Sequence, residues 1–233
     1  MSNSVRKMFS DISGEYDMLN DVLSFGRHRV WKNKFVKRIK LPVAGKHLDV
    51  ATGTGDIATK IVEMYGTENE VIGVDFSDSM IIKANIRKDI SLENLTFKTG
   101  DALNLEFESG YFDSVSISFG IRNIPELTNA INEMARVLKP GGMLAIMEFG
   151  LPSPPFNYLY SFYSKFIIPF IGKLLSGNDI AYRYLPETIK EFPYDDKFKS
   201  IIMSTGKFSD IKIEKYEFGT VYTYYCIKKL KKG

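Results

Sequence analysis

The sequence predicts an α/β fold with a doubly wound, mostly parallel sheet, helices on both faces and an antiparallel C-terminal strand. Short apolar strands alternate with amphipathic helices between residues 45 and 150, which is the pattern of a parallel sheet. A glycine-rich turn follows the first of these strands, where such folds place a ligand. The 233 residues, with 17 Phe and 13 Tyr, suit one domain with a large core.

Hydrophobic periodicity predicts each element in order. Strands are expected at 47–50, 70–75, 95–98, 112–118 and 143–149, and helices at 57–65, 80–89 and 127–138. The Val-Ile-Gly-Val run at 71–74 suits a strand covered on both faces. The Lys-Pro-Gly-Gly sequence at 139–142 is predicted to end the third helix and separate it from the last strand.

We expect one domain over residues 1–233, divided into four segments. Residues 1–40 would form an N-terminal helical cap and residues 45–150 the cofactor-binding core. Residues 151–200 would form an aromatic-rich cover over the substrate, and residues 201–233 the C-terminal strands.

Composition excludes several classes of site and partner. A single cysteine forbids an internal disulfide or a zinc site with paired cysteines, and two histidines argue against a metal centre. We therefore expect no metal and a reducing, cytoplasmic location. A net charge of +3 is too small to predict nucleic-acid binding, although it allows a weak attraction to an anionic membrane surface.

The glycine-rich turn holds the strongest candidate site. Gly53 and Gly55 allow a ligand to approach the backbone, and the next helix offers free N–H groups. Asp75 ends the second strand, where a carboxylate can accept both hydroxyls of a ribose. Asp101 and Ser118 would lie at the same edge of the sheet. A tight turn without a ligand is the alternative, but the cluster favours a nucleoside pocket.

The charge of the loop discriminates between nucleoside cofactors. Asp49 and Asp56 flank the loop, and two carboxylates would repel a pyrophosphate but suit a sulfonium cation. This favours S-adenosylmethionine. A nicotinamide-dependent oxidoreductase is still an alternative, because Ala58 could replace the last glycine of its fingerprint. The loop carboxylates disfavour it, and neither Tyr160 nor Tyr182 has the lysine four residues later that such an enzyme would use.

Several motifs together resemble the UbiE/MenG family of ubiquinone and menaquinone biosynthesis C-methyltransferases, within the class I enzymes that use S-adenosylmethionine. The matching segments are residues 9–20, 23–28, 48–56, 117–123, 136–142, 182–185 and 192–193. The most specific are the Tyr-Asp-Met-Leu-Asn block at 16–20 and Phe-Gly-Ile-Arg-Asn at 119–123. The resemblance implies a Rossmann-like fold and covers roughly residues 6–221 of the chain.

The resemblance also implies the cofactor contacts. They are Thr54, Asp75, the Asp101–Ala102 pair and Ser118. Asp75 would hold the ribose, while Asp101 and the N–H of Ala102 would bind the adenine. Asp49 and the loop with Gly53 and Gly55 would bind the methionine end.

The implied substrate is a polyprenyl quinol: demethylmenaquinol is expected first, and a methoxy-polyprenyl-benzoquinol is also compatible. Arg122 is predicted to stabilise the phenolate or to position a water, with an ion pair to a nearby acid as its alternative role. We place Tyr16, Asn20, His28 and Asn123 on the substrate side, although His28 could equally be a packing residue. Methylation of another aromatic or lipid, or a catalytically silent subunit, remain alternatives.

Two aromatic segments bear on membranes and partners. Residues 156–175 could wall a polyprenyl tail or form buried helices, and their lysines and proline argue against a membrane span. Trp31, Phe35 and Ile39 form a helical stripe that suits docking on the core, with a membrane-surface contact as the alternative. A peripheral contact at the inner face of the membrane and a homodimer are both compatible with this sequence.

Overall fold

The computed structural model describes residue 24, residues 26–158 and residues 180–230, and for residues 180–185 it describes the backbone alone. Predictions for Tyr16, Asn20, most of the aromatic segment at 156–175 and the side chains of 182–185 therefore lie outside the described residues. Within the described ranges, the strands join in one sheet that includes both the 45–150 segment and the C-terminal segment.

Helices and strands alternate along the described chain, as the periodicity predicts. They are α1 Arg27–Val36, β1 Lys46–Val50, α2 Asp56–Tyr65, β2 Glu70–Asp75, α3 Asp78–Arg87, β3 Leu95–Thr99, β4 Phe112–Ser118, α4 Leu127–Val137, β5 Leu138–Phe149, α5 Ile180–Glu191, α6 Asp196–Ser204, β6 Phe208–Tyr216 and β7 Val221–Lys228. A 3-10 turn, Ile121–Asn123, follows β4. Apart from the start of β5, the elements predicted between 45 and 150 lie within two residues of their expected bounds.

Strand β5 is longer than predicted. The helix before it ends as expected, but Leu138 already pairs with Phe112 of β4, and the register then shifts so that Ser114 pairs with Met143. Gly141 adopts a φ of 78°, and a Cβ on Gly142 would lie 2.7 Å from the carbonyl oxygen of Asp113. The glycine pair therefore forms a bulge inside the strand and not a loop before it.

The strand order is β3-β2-β1-β4-β5-β7-β6. Strands β1 to β5 are parallel to one another, and β7 is antiparallel to both β5 and β6. The predicted fold class, with its antiparallel C-terminal strand, is confirmed. The chain order reverses between β1 and β4, which is the point where open α/β sheets leave a crevice for a ligand.

Helices cover both faces of the sheet, and α1 packs on the face that also carries α2 and α3. Trp31, Phe35 and Ile39 are only 4%, 0% and 2% exposed. The docking interpretation of this stripe is confirmed, and its membrane-surface alternative is wrong because these side chains are buried. No helix of the described ranges combines the length and apolarity needed to cross a bilayer.

Candidate active site

A cavity opens at the carboxyl ends of β1 to β4, at the reversal of strand order. It holds about 800 Å³ of space, counted to include the open solvent at its mouth. The predicted residues that line it are Gly53, Asp75, Asp101, Ala102, Ser118 and Asn123; its other lining residues are Val50, Ala51, Phe76, Ser77, Met80, Gly100, Phe119, Gly120 and Ile124. Parallel strands thus bring together side chains that are far apart in sequence.

Asp75 links the glycine loop to the second strand. Its Oδ2 accepts the backbone N–H of Gly53 and its Oδ1 accepts that of Ser77, each at 2.9 Å. Burial raises the pKa of Asp75, while these backbone N–H groups favour its charged form and oppose that shift. Each carboxylate oxygen keeps a further lone pair, so the group can also accept from ribose hydroxyls.

The glycine loop is pressed against the sheet by Phe97. Gly55 has a φ of 88°, and a Cβ there would lie 2.5 Å from the Phe97 ring. Gly73, on β2, meets the same ring at 2.6 Å. Glycine at both positions lets the loop lie close to the Phe97 ring and the sheet, so that helix α2 begins directly behind the cavity.

Ser118 gives the most direct sign of a polar ligand. Ser118 lines the cavity, and its hydroxyl is buried and has no hydrogen-bond partner among the described residues. A buried hydroxyl left without a partner is costly, so a ligand that supplies one would stabilise the site. Asp101 accepts the N–H of Leu103 at 2.9 Å through Oδ1, which leaves Oδ2 for an adenine amine. These groups fit S-adenosylmethionine.

Three predicted contacts lie behind the cavity wall instead of on it. Asp49 is 1% exposed, and its carboxylate accepts the hydroxyls of Thr52 at 2.7 Å and Ser116 at 2.6 Å. The Thr54 hydroxyl accepts from Arg87 at 2.8 Å. Gly55, the third, packs on the aromatic ring beneath the loop. In the structure, these three residues therefore contact the rest of the protein behind the cavity wall and support the loop from there.

The pair of loop carboxylates used to favour a sulfonium needs a correction. Asp56 lies 2.7 Å from Lys32 and 3.3 Å from Arg87, and it is not on the cavity wall. Its pKa is lowered, because attraction to Lys32 and Arg87 outweighs the effect of burial. Its charge is thus neutralised by neighbouring side chains, and of the two flanking aspartates only Asp49 places a buried carboxylate beneath the loop.

Arg122 is held in a buried ion pair. Its Nη1 donates to Glu148 at 2.7 Å and to the carbonyl of Phe119 at 2.6 Å. The two side chains are 6% and 0% exposed. The alternative role, an ion pair with an acid, is what the structure contains. The guanidinium does not line the described cavity, and its Nη1 is bonded to the backbone carbonyl of Phe119. The predicted contact with a phenolate stays a prediction.

The substrate-side predictions divide into two groups. Asn123 lies on the cavity wall, as the last residue of the 3-10 turn. His28 is buried on α1, and its Nδ1 lies 2.8 Å from the Ser24 hydroxyl. It lines no part of the described cavity, as the packing alternative anticipates.

Sequence reasoning missed an aromatic wall. Phe119 lines the cavity and stacks on Phe149, with 4.2 Å between the ring centroids. Its φ is 56°, and the next residue, Gly120, lies so close to Ala51 that a Cβ would be 2.5 Å away. The signal available in the sequence was a Phe-Gly pair directly after a strand that ends at the cavity.

Comparison with known proteins decides the family. The sequence pattern of the ubiE/COQ5 methyltransferase family matches this chain over residues 1–228. The chain belongs to this family. It is 38% identical over 216 residues to a demethylmenaquinone methyltransferase of Staphylococcus saprophyticus, covering 92% of each chain. It is 39% identical to the enzyme of that name from Staphylococcus haemolyticus, over 92% of this chain and 90% of the relative.

The fold agrees with that assignment. A methyltransferase of Thermotoga maritima that depends on S-adenosylmethionine superposes with a TM-score of 0.68, at 18% identity, over 96% of this chain and 99% of its own. The family member described here is thus a class I methyltransferase, and both the predicted resemblance and the predicted methyl donor, S-adenosylmethionine, are confirmed.

Proposed function

We propose that this methyltransferase transfers a methyl group to a ring carbon of a polyprenyl quinol, with demethylmenaquinol as its acceptor in menaquinone biosynthesis. The observation that carries the proposal is the ring of Phe119 on the cavity wall, held by its stack on Phe149. A flat ring can pack against such a wall beside the donor site. The relatives that cover the chain almost completely share this activity in their names.

The residues proposed to bind the donor come from the ends of several strands. In this proposal Asp75 binds the ribose hydroxyls, Asp101 and the N–H of Ala102 bind the adenine, and Ser118 gives its unpartnered hydroxyl to the same ligand. The backbone around Gly53 faces the methionine end. Asp49 acts from beneath by its charge, and Thr54 and Gly55 hold the loop in shape.

Catalysis by this chain is mainly a matter of position. Bound in the cavity, S-adenosylmethionine supplies an electrophilic methyl carbon. The protein holds the acceptor ring in line with that carbon, and orientation of this kind accounts for a large part of the rate in such reactions. Arg122 serves as a positioning residue, because its bonds to Glu148 and the Phe119 carbonyl fix the aromatic wall. Asn123 is proposed to contact the acceptor.

The test is methyl transfer from labelled S-adenosylmethionine to a short-chain demethylmenaquinol. The assay runs beside the matching methoxy-benzoquinol, each with and without reductant, since the ring carbon is nucleophilic in the quinol and not in the quinone. We expect product from the reduced naphthoquinol. Product from both quinols would extend the proposal to a shared enzyme of two pathways. Bound donor without product from either would overturn it and favour another acceptor or a silent subunit.

We further propose a peripheral contact with the membrane that contains the acceptor. Helix α3 exposes Ile82 and Ile86, and Ile90 lies just beyond its end, 59%, 77% and 93% exposed respectively. Ile82 and Ile86 are one helical turn apart and form an apolar stripe beside Lys83, and Lys88 and Ile90 follow the end of the helix. A homodimer that buries the same stripe is the alternative proposal, and the vesicle experiment in the Discussion distinguishes the two.

A further inference from the structure

A chain of buried polar groups runs along the two central strands, beneath the donor site. His47 and Asp49 on β1 pair in register with Ser114 and Ser116 on β4, so all four side chains lie on one face of the sheet. His47 Nδ1 lies 2.7 Å from the Ser114 hydroxyl, and its Nε2 lies 3.0 Å from the Ser116 hydroxyl. All four residues are at most 1% exposed.

The geometry fixes the direction of every hydrogen bond in this chain. The single hydrogen of the Ser116 hydroxyl points to the Asp49 carboxylate, 2.6 Å away, so the oxygen of Ser116 must accept from His47 Nε2. Burial lowers the pKa of His47 to about 3, so the ring is neutral and carries one hydrogen. His47 Nδ1 is then an acceptor, and the Ser114 hydroxyl donates to it.

The chain ends at the cofactor loop. Asp49 accepts the hydroxyl of Thr52, the residue immediately before Gly53, at 2.7 Å. The pKa of Asp49 is raised to about 6, because burial and the nearby charge of Asp75 outweigh the hydrogen bonds from Ser116 and Thr52, which lower it. Lys32 on α1 lowers it, although the direct ion pair of Lys32 is with Asp56 on α2. Asp49 is thus a carboxylate whose charge depends on the hydroxyls that face it.

We infer that His47 and Ser116 are positioning residues of the methyl-donor site, which hold Asp49 charged and oriented under Thr52 through one directed hydrogen-bond chain. The inference rests on the donor site proposed above and is independent of the acceptor. Through this hydrogen-bond chain, the charge of Asp49 and the tautomer of His47 change together.

The coupled change uses one proton from solvent. Ser114 passes its hydroxyl proton to His47 Nδ1 and takes the proton from solvent, Nε2 passes its proton to Ser116, and Ser116 passes its own proton to Asp49. Afterwards the Asp49 O–H donates to Ser116, Ser116 donates to Nε2, and the Nδ1–H donates to Ser114, whose hydrogen points away from the ring. No other group gains or loses charge.

The first test is nitrogen NMR of protein with labelled histidine, which needs neither donor nor acceptor. The chain has two histidines, and a His47→Gln variant assigns the signals. We expect the Nε2–H tautomer of His47 at pH 7.5, and a change to the Nδ1–H tautomer, without an imidazolium, as the pH falls through about 6. An imidazolium near pH 6, an Nδ1–H ring at pH 7.5, or no change over this range would overturn the inference.

The second test is calorimetric titration of S-adenosylmethionine between pH 5 and 8. Ser116→Ala should raise the dissociation constant about tenfold at pH 7.5 and move the acidic limb of binding to higher pH, because Asp49 loses a donor. Ser116→Thr keeps a hydroxyl and should restore binding. In Ser116→Ala the KM for S-adenosylmethionine should rise, and kcat at saturating donor should change less.

Thr223→Val is the matched control, since Thr223 is a fully buried hydroxyl of the same sheet, on β7. It should bind the donor as the natural chain does. A wild-type protein that binds no donor would refute the proposed donor site. Wild-type binding together with unchanged affinity and pH profile in Ser116→Ala would refute only the positioning role.

Discussion

At the scale of single residues, Asp75 combines a structural and a binding role. The same carboxylate is anchored by two backbone N–H groups, from Gly53 and Ser77, and faces the cavity. The loop therefore has its shape before the donor arrives, and little conformational entropy is lost on binding. This arrangement requires a group that only accepts hydrogen bonds, which is true of a carboxylate and not of an amide.

Replacement of Asp75 by Asn should weaken donor binding strongly. The amide would turn an NH₂ toward one of the two backbone N–H groups, and the ribose would lose a charged acceptor. A hydrogen bond to a charged group is worth about 1.5–3 kcal/mol, so we expect the dissociation constant of S-adenosylmethionine to rise about tenfold or more. Isothermal titration calorimetry measures it.

Asp89→Asn is the control for that change. Asp89 accepts the backbone N–H and the hydroxyl of Ser91 in a similar local turn, but it is exposed and lines no part of the cavity. The control should leave donor affinity unchanged. Equal affinities for the two variants and the natural chain would remove Asp75 from the donor site.

His47 and Asp49 should give folding stability two opposed dependences on pH. Between pH 6.5 and about 3 the unfolded chain binds a proton at His47 that the folded chain does not, so stability falls as the pH falls. Between about pH 6 and 3.8 the folded chain keeps a proton on Asp49 that the unfolded chain releases, so this contribution rises as the pH falls. Each slope is at most about 1.4 kcal/mol per pH unit.

Single variants should separate the two slopes. Relative to the natural chain, His47→Gln should gain stability as the pH is lowered from 6.5 to 4, and Asp49→Asn should lose it. Urea unfolding at a series of pH values measures both. Parallel profiles for all three proteins would show that neither residue changes its pKa on folding.

At the scale of elements, the end of β4 is tied to the end of β5 by one ion pair. Glu148 accepts from the guanidinium of Arg122 at 2.7 Å, from the backbone N–H of Arg122 at 3.2 Å and from that of Phe149 at 2.8 Å. A carboxylate buried this completely is tolerated because it is paired and hydrogen-bonded. The pair thereby fixes the Phe119–Phe149 stack on the cavity wall.

Arg122→Ala should destabilise the fold by about 3–5 kcal/mol, because it leaves the Glu148 carboxylate buried and unpaired. The double variant Arg122→Met/Glu148→Leu should recover much of that loss, since neither charge remains. Urea unfolding measures both. Turnover should fall in Arg122→Ala while donor binding stays nearly intact. A single variant as stable as the natural chain would contradict the structural role of the pair.

The elements between residues 45 and 150 could be predicted because each carries its own periodicity. The cavity residues Gly53, Asp75, Asp101 and Ser118 could also be predicted, since parallel strands that end together bring their next residues to one edge. Strand β5 was predicted too short, because the pairing of Leu138 with Phe112 depends on a neighbouring strand and leaves no signal in the local sequence.

The partners of the charged residues could not be predicted in the same way. Asp56 is paired with Lys32, 24 residues away, and Arg122 with Glu148, 26 residues away. Such pairs depend on which helix packs on which face and on the register between strands. A single sequence gives the charges, and the fold decides which of them face the ligand and which face one another.

At the scale of the whole molecule, the reversal of strand order separates two tasks. The carboxyl ends of the central strands β1 and β4 hold the donor cavity. Helix α3, which follows Asp75 and Ser77 at the same end of the sheet, exposes Ile82 and Ile86 on its outer face, and Ile90 is exposed just beyond its end. An acceptor with a polyprenyl tail is held in a bilayer by its apolar surface. A stripe that begins near the cavity would bring the donor site to the surface of the membrane that holds this acceptor.

Ile82→Ser/Ile86→Ser should therefore weaken binding to vesicles of anionic phospholipid by about tenfold or more, because two isoleucine side chains lose their apolar contact with lipid. Val43→Ser is the control, since Val43 is 82% exposed in the segment between α1 and β1. Vesicle flotation measures binding, and both variants should keep the donor affinity of the natural chain. Equal flotation of the double variant and the control would refute the membrane contact. A dimer in sedimentation velocity that becomes a monomer in the double variant would instead assign the stripe to a subunit interface.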